Sequence, residues 1–345
     1  MKRQIIAILS LVSILFIGCT EPRNGGPSEG EGSFETIFTD PYGYEETLSR
    51  AVDLIDGAEK TVCVESYGFE LTDISESLIN AHNRGVLVQI VCEGTSYSSD
   101  NENCFQDMDY AGIEIIHDNS SSISHNKVMI IDSEYVWTGS TNFTYSGYFL
   151  NNNNVIIIQS TDVALAYYDD FSQMFQGYFH GNKSSNGVEE VDVADGYVEV
   201  WFTPEDSPKS MLIDKVNNAQ QTIEFCIYAY TLSDLADAMI SAKNRGVQVR
   251  GIFDEGTTLD SPTQYHTLLD AGVDVQIDPC PYAFHHKFMV IDKDGTEPIV
   301  ITGSGNWSIN GTSNNDENFA VVHSASVAEN YYYEFSRWWQ ESSLF

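Results

Sequence analysis

Phe284-His285-His286-Lys287-Phe288-Met289-Val290-Ile291-Asp292 decides the fold, because the chain carries the same pattern at Ser124-His125-Asn126-Lys127-Val128-Met129-Ile130-Ile131-Asp132. Both stretches read H-x-K-x4-D, and each is followed by Gly-Ser-x-Asn: Gly139, Ser140 and Asn142 in one case, Gly303, Ser304 and Asn306 in the other. The apolar, β-branched run after each Lys reads as a buried strand. On a strand, residues two apart share a face. His and Lys therefore project together, and the Asp five places past the Lys anchors the strand from behind.

Working outward, the repetition extends beyond the motif. Asn83-Arg84-Gly85-Val86 recurs as Asn244-Arg245-Gly246-Val247, and Ala111-Gly112 as Ala271-Gly272, at an offset of 160 or 161. Gly139 recurs as Gly303 at 164, because the second hairpin is four residues longer. Such self-similarity marks one unit used twice. Helical spacing is expected over 44–55, 71–83, 105–111 and 163–179, and again over 211–219 and 232–244. Strands are expected over 61–67, 86–92, 113–116, 135–138, 155–158 and 222–228. Alternating strands and helices imply an α/β architecture with a largely parallel or mixed sheet. The organisation expected is a first half over 34–180, a linker over 181–196 and a second half over 197–345.

An imidazole near neutral pH attacks as a nucleophile or moves a proton. Two imidazoles do both at once on phosphorus, while Lys, Asn and Ser hold the nonbridging oxygens. The sequence offers no H-E-x-x-H, no paired C-x-x-C and no loop of EF-hand spacing. His286 is out of register with Lys287 and reads as structural. His82, His117, His180, His266 and His323 lie outside the repeated motif and read as surface or packing residues.

H-x-K-x4-D with Gly-Ser-x-Asn, present twice, resembles the phospholipase D superfamily over about residues 34–345. That resemblance implies two pseudo-two-fold related α/β halves with the site at their interface. It implies a phosphohistidine intermediate, no metal and no cofactor. It implies a motif set of His125, Lys127, Asp132, His285, Lys287 and Asp292 for catalysis, with Ser140, Asn142, Ser304 and Asn306 on the substrate. It places a histidine-orienting residue fourteen positions after each Gly, at Asn153 and Glu317. Pairing within each half gives His125 with Asn153 and His285 with Glu317. A carboxylate raises the pKa of an imidazole more than an amide does. On that pairing His285 is the proton carrier and His125 the nucleophile. The branches of the family leave three functions open: phospholipid hydrolysis or transfer, a secreted endonuclease of the same chemistry, and a non-catalytic surface protein that binds phosphate.

The formal charge is −35, from 51 acidic and 16 basic residues. Binding to nucleic acid runs on phosphate neutralisation by Lys and Arg, so a broad nucleic-acid interface is disfavoured. A phospholipid is the expected substrate, and the protein is expected to act as a monomer. Residues 1–18 open with Lys2-Arg3 and continue apolar to Ile17, as a secretory signal does. Gly18-Cys19 resembles a lipobox, which implies lipidation at Cys19 and a location outside the cytoplasm at a membrane. Residues 19–33 read as a polar tether. Cys92 and Cys104 bracket a polar loop and could pair, whereas Cys63 and Cys226 read as buried thiols.

Overall fold

A computed structural model describes residues 32–39, 41, 46–99, 104–185, 190–260 and 262–343. The signal segment and all but the end of the tether lie outside the described residues. The fifteen strands among them fall into two sheets. The first half contributes β1 (Ser33–Thr39), β2 (Thr61–Ser66), β3 (Leu87–Glu93), β4 (Glu114–Asp118), β5 (Lys127–Ile131), β6 (Tyr135–Gly139) and β7 (Asn153–Gln159). The second contributes β8 (Val191–Val193), β9 (Gly196–Thr203), β10 (Thr222–Ile227), β11 (Gln248–Phe253), β12 (Asp274–Ile277), β13 (Lys287–Ile291), β14 (Ile299–Gly303) and β15 (Glu317–His323).

The sheet orders are β1-β7-β6-β5-β2-β3-β4 and β12-β11-β10-β13-β14-β15-β9-β8. Without β8, the second order is the first one reversed, which is what a duplicated unit requires. Each sheet is mixed. β2–β3–β4 and β10–β11–β12 are parallel, and the remaining pairs are antiparallel. The motif strands β5 and β13 are interior, and every residue of both is buried. That burial explains why they read as continuous apolar runs.

The outer face of each sheet is covered by amphipathic helices, among them Glu46–Gly57 and Thr72–Arg84 in the first half and Pro208–Asn218 and Ser233–Arg245 in the second. The inner faces form one continuous core that includes Val128, Ile130, Phe288 and Val290. Between them lie the helices Thr161–Phe175 and Ala325–Ser342, whose Tyr167, Phe171, Tyr331 and Phe335 are buried there. The two halves therefore share a core and do not move as separate domains.

Three expectations need correction. The stretch 181–196 is more than a linker: Val191–Val193 forms an edge strand paired to β9, and Lys183 is buried. The helix expected over 163–179 ends at Phe175. Ser33, read as tether, is already in β1. Cys63 and Cys226 are buried as expected, and burial, with Glu65 adding, pushes the Cys63 thiol up to about 12.

Asp132 and Asp292 end the motif strands with positive φ of 54° and 51°. The Asp132 carboxylate accepts from the backbone N–H groups of Glu59, Lys60 and Thr61 at 2.8, 2.7 and 2.8 Å. Asp292 does the same for Gln220, Gln221 and Thr222 at 2.7, 2.6 and 2.9 Å. Both carboxylates are therefore occupied in anchoring the strand, a structural task in place of the catalytic one the resemblance implied. Replacing Asp132 by Ala unpairs three donors, so we expect a loss of about 2 kcal/mol in unfolding free energy by urea titration. A loss indistinguishable from zero would show that the anchor contributes nothing.

Candidate active site

The two motifs meet where the halves touch. Ser124 bridges Asp316, and Asn152 bridges Phe284. His125 N–H donates to the Asp316 carbonyl at 2.9 Å, and Asn152 N–H to the Ala283 carbonyl at 3.0 Å. The residue before each histidine is held by an acid at the end of β3 or just past the end of β11, one strand removed from the motif strand. Ser124 N–H donates to Glu93 at 2.9 Å and Phe284 N–H to Asp254 at 2.8 Å.

Each imidazole is oriented by the opposite half. His125 Nδ1 lies 2.7 Å from Glu317 Oε2. His285 Nδ1 lies 2.8 Å from Asn153 Oδ1 and 3.1 Å from the Ser140 carbonyl. The pairing expected within each half is thus reversed: Glu317 serves His125, and Asn153 serves His285. The sequence count found the right residues, but it could not see that the symmetry axis exchanges them.

Hydrogen-bond accounting fixes the His285 tautomer. Asn153 Nδ2 donates to the Gly147 carbonyl at 3.0 Å, so Oδ1 faces the ring. Oδ1 and the Ser140 carbonyl are both acceptors, so His285 Nδ1 must carry the proton. Its Nε2 then presents a lone pair, and Lys287 Nζ lies 3.0 Å from it. Glu317 as a carboxylate imposes the same tautomer on His125.

Lys127 and Lys287 are buried beside the rings. Each ammonium donates to the carbonyl of its own motif histidine, Lys287 at 3.0 Å and Lys127 at closer range. Burial, followed by the two lysines, pushes His125 well below its ordinary value. Burial, then Lys287, Lys127 and His125, does the same for His285. Burial holds Lys127 down to about 7 against the opposing pull of Glu317, and pushes Glu317 up to about 8 against Lys127. The proton affinities of Lys127 and Glu317 are therefore close to one another near neutral pH. The two imidazoles are only 7% and 8% exposed, so access is to their edges.

Ser140 and Ser304 are fully buried, so their assignment to substrate is withdrawn. Ser140 Oγ donates to Asn153 Oδ1 at 2.9 Å and accepts from Asn154 N–H at 3.0 Å. Ser304 Oγ donates to Asn126 Oδ1 at 3.2 Å and accepts from Asn318 N–H at 3.0 Å. They support the orienting strands. The glycines before them have φ of +146° and +140°, and a Cβ there would lie 2.2 Å from the carbonyls of Asn154 and Asn318. Asn142 and Asn306 are partly exposed, so an amide N–H of each can donate to a substrate oxygen, while their Oδ1 atoms are buried without a hydrogen-bond partner.

The sequence missed several supporting residues. Tyr67 and Tyr228 follow β2 and β10. Their rings lie 4.7 and 4.6 Å from those of His125 and His285, and 5.1 Å from the respective lysine ammonium. Thr39 and Thr203 accept from the N–H groups of Asn153 and Glu317 at 3.0 and 2.9 Å. All four sit at matching places in the two halves, so the repeat itself was the available signal. His286 is structural, buried against Glu334 at 3.3 Å. His117 and His323 pack on Tyr97 and Tyr197. His180 is not a surface residue: its ring lies 2.7 Å from Asp118 and 3.0 Å from Asp316.

The sequence matches the family model described as cardiolipin synthase, PLD-like domain, over residues 51–175 and 212–339, one match in each half. The chain belongs to this PLD-like family. Among curated relatives, a mitochondrial cardiolipin hydrolase of Xenopus tropicalis is 38% identical over 136 residues, 39% of this chain and 63% of that protein. A phospholipase D of Rickettsia prowazekii is 34% identical over 153 residues, 44% of this chain and 69% of that protein. The chain thus spans less than two thirds of the length of the cardiolipin hydrolase. Among solved structures, a phosphatidylserine synthase of Haemophilus influenzae Rd KW20 aligns with TM-score 0.66 at 11% identity, over 90% of this chain and 86% of that one. A polyphosphate kinase of Porphyromonas gingivalis aligns with TM-score 0.63 at 15% identity, over 86% and 45%. At these identities the likeness shows the fold: the PLD-like unit used twice.

Both PLD-like histidines should remain neutral at about pH 6, below the ordinary value near 6.5. Long-range ¹H–¹⁵N spectra would show two neutral rings, with His285 as the Nδ1–H tautomer, whereas an imidazolium signature would contradict the burial argument. The unfolded chain takes up protons that these folded rings refuse, so their contribution to stability is lost as pH falls below about 6.5. Replacing both by Asn should flatten that part of the slope.

Proposed function

We propose that this PLD-like chain is a phosphodiesterase or phosphatidyltransferase that acts on phospholipid through a phosphohistidine. The crossed orientation of two neutral imidazoles over one pair of lysines carries this reading. His125 Nε2 attacks phosphorus and the bond to the leaving oxygen breaks. Glu317 accepts from Nδ1–H and stabilises the positive charge that builds on the phosphorylated ring. The anionic diester raises the proton affinity of His285, which takes up a proton at Nε2 and delivers it to the leaving oxygen. His285 then removes a proton from water or an alcohol, which attacks phosphorus and releases His125.

Lys127 and Lys287 hold the nonbridging oxygens, with Asn142 and Asn306 completing the cradle. The role of His125 is the one expected from sequence, but the reason differs. Its carboxylate partner favours covalent attack, and the amide partner of His285 suits a ring that gains and loses a proton each turnover. The names of the relatives and the charge of −35 favour a phospholipid over nucleic acid. Lipidation at Cys19 would hold the body beside its substrate.

The test is product analysis on phosphatidylcholine, cardiolipin and plasmid DNA with EDTA present. We expect lipid hydrolysis or transfer and a phosphoenzyme trapped by acid quench. His125→Ala should abolish the trapped species, and His285→Ala should lower kcat by about 10²–10⁴-fold. DNA cleavage without lipid turnover would replace the substrate. Activity that survives His125→Ala would overturn the mechanism.

A further inference from the structure

We propose that the turn joining the two halves, through His180 and Lys183, positions the His125 side of the site and leaves the His285 side alone. The inference rests on the reading of His125 as nucleophile and on contacts that pass through Asp316. Lys183 is buried, with its ammonium 2.7 Å from Asp170, 2.8 Å from Glu205 and 3.1 Å from Asp316. An ammonium withdrawn from water needs such company, and each acid needs the ammonium in return. His180 donates its backbone N–H to Asp316 Oδ1 at 2.9 Å, and its ring bridges Asp316 and Asp118. Asp316 Oδ1 is thereby held by the turn through the His180 N–H and the Lys183 ammonium, and Oδ2 lies 3.0 Å from the His180 ring.

The main chain of Asp316 faces the catalytic strand. Its carbonyl accepts from His125 N–H at 2.9 Å, and its N–H donates to the Ile123 carbonyl at 3.1 Å. The next residue is Glu317, which holds His125 Nδ1. Asp316 is thus gripped by the turn through its side chain and grips His125 through its backbone and its neighbour. A shift of the turn moves Glu317 relative to the ring.

The other half has no such device. Asn152, thirteen residues after Gly139 as Asp316 is after Gly303, is buried with both amide atoms lacking a protein partner. Glu334, the counterpart of Asp170, engages His286, Arg337 and Trp338 of its own half. The repeat has therefore gained a clamp on one histidine only.

The experiment uses the full chain with His180→Asn and Lys183→Met, bis(4-nitrophenyl) phosphate as the diester, and ¹⁵N spectra of the histidine rings. We expect kcat to fall about 10–100-fold with KM nearly unchanged, as for loss of other groups that orient a reacting ligand. The His125 Nδ1–H signal should move while that of His285 stays. In a Glu317→Gln background the added loss should nearly vanish, and in an Asn153→Ala background it should persist in full. Equal losses in both backgrounds, or losses with an unmoved His125 signal, would overturn the clamp. If Lys183→Met does not fold, His180→Asn, which keeps the lysine and its three acids, decides the question. A wild type inert to every diester whose His125 signal still moves in the variants would sink the proposed reaction and leave the clamp standing. An active wild type matched in kcat and spectra by the variants would do the reverse.

Discussion

The site depends on one constraint: each motif imidazole is completed by an atom from the other half. A buried Nδ1–H without an acceptor costs about 1–3 kcal/mol. Glu317 supplies that acceptor for His125, and Asn153 with the Ser140 carbonyl supplies it for His285. Docking of the halves and assembly of the site are therefore a single event. The shared core around the helices Thr161–Phe175 and Ala325–Ser342 provides the apolar driving force, and the crossed pairs set its register. Asn154 and Asn318 extend the same exchange beneath the site. Asn154 donates to Thr302 of the second half at 2.6 Å, and Asn318 accepts from Thr138 of the first at 2.7 Å.

The duplication preserves geometry and relaxes chemistry. Thr39 and Thr203, Tyr67 and Tyr228, Ser140 and Ser304, and Asp132 and Asp292 keep their tasks in both halves. What differs lies at the Nδ1 partners of the two histidines. His125 has the Glu317 carboxyl group at its Nδ1, and His285 has the Asn153 amide. The buried charge follows the same division. Lys183 and His180 gather acids around Asp316, whereas the equivalent region of the second half is built on Cys226, His286 and Phe284.

Much of this was legible in the sequence because it is periodic. The buried strands Lys127–Ile131 and Lys287–Ile291 declare themselves by the apolar runs after each Lys, and the helices Thr72–Arg84 and Ser233–Arg245 by spacing and a following Gly. The two His-Lys pairs stand out in the repeated motif, and the family resemblance points to Asn153 and Glu317, fourteen positions after each Gly. The partner of each histidine was not legible, because a count along one half cannot register an exchange across an axis. Ser140 and Ser304 looked like substrate contacts because hydroxyls beside a motif do, and only their complete burial shows that they brace the strand behind. His180 and Lys183 sit in a polar stretch whose composition matches a surface linker. Their burial follows from Asp170, Glu205 and Asp316 arriving from three other places in the chain.

The central claim is that two rings, crossed at Nδ1, face one phosphorus atom through Nε2. A crystal structure of the chain soaked with vanadate tests it most directly. One vanadium is expected between the Nε2 atoms of His125 and His285, its oxygens on Lys127 and Lys287, with Glu317 still on His125 and Asn153 on His285. Vanadate bound elsewhere, or by one histidine with the other turned away, would contradict it.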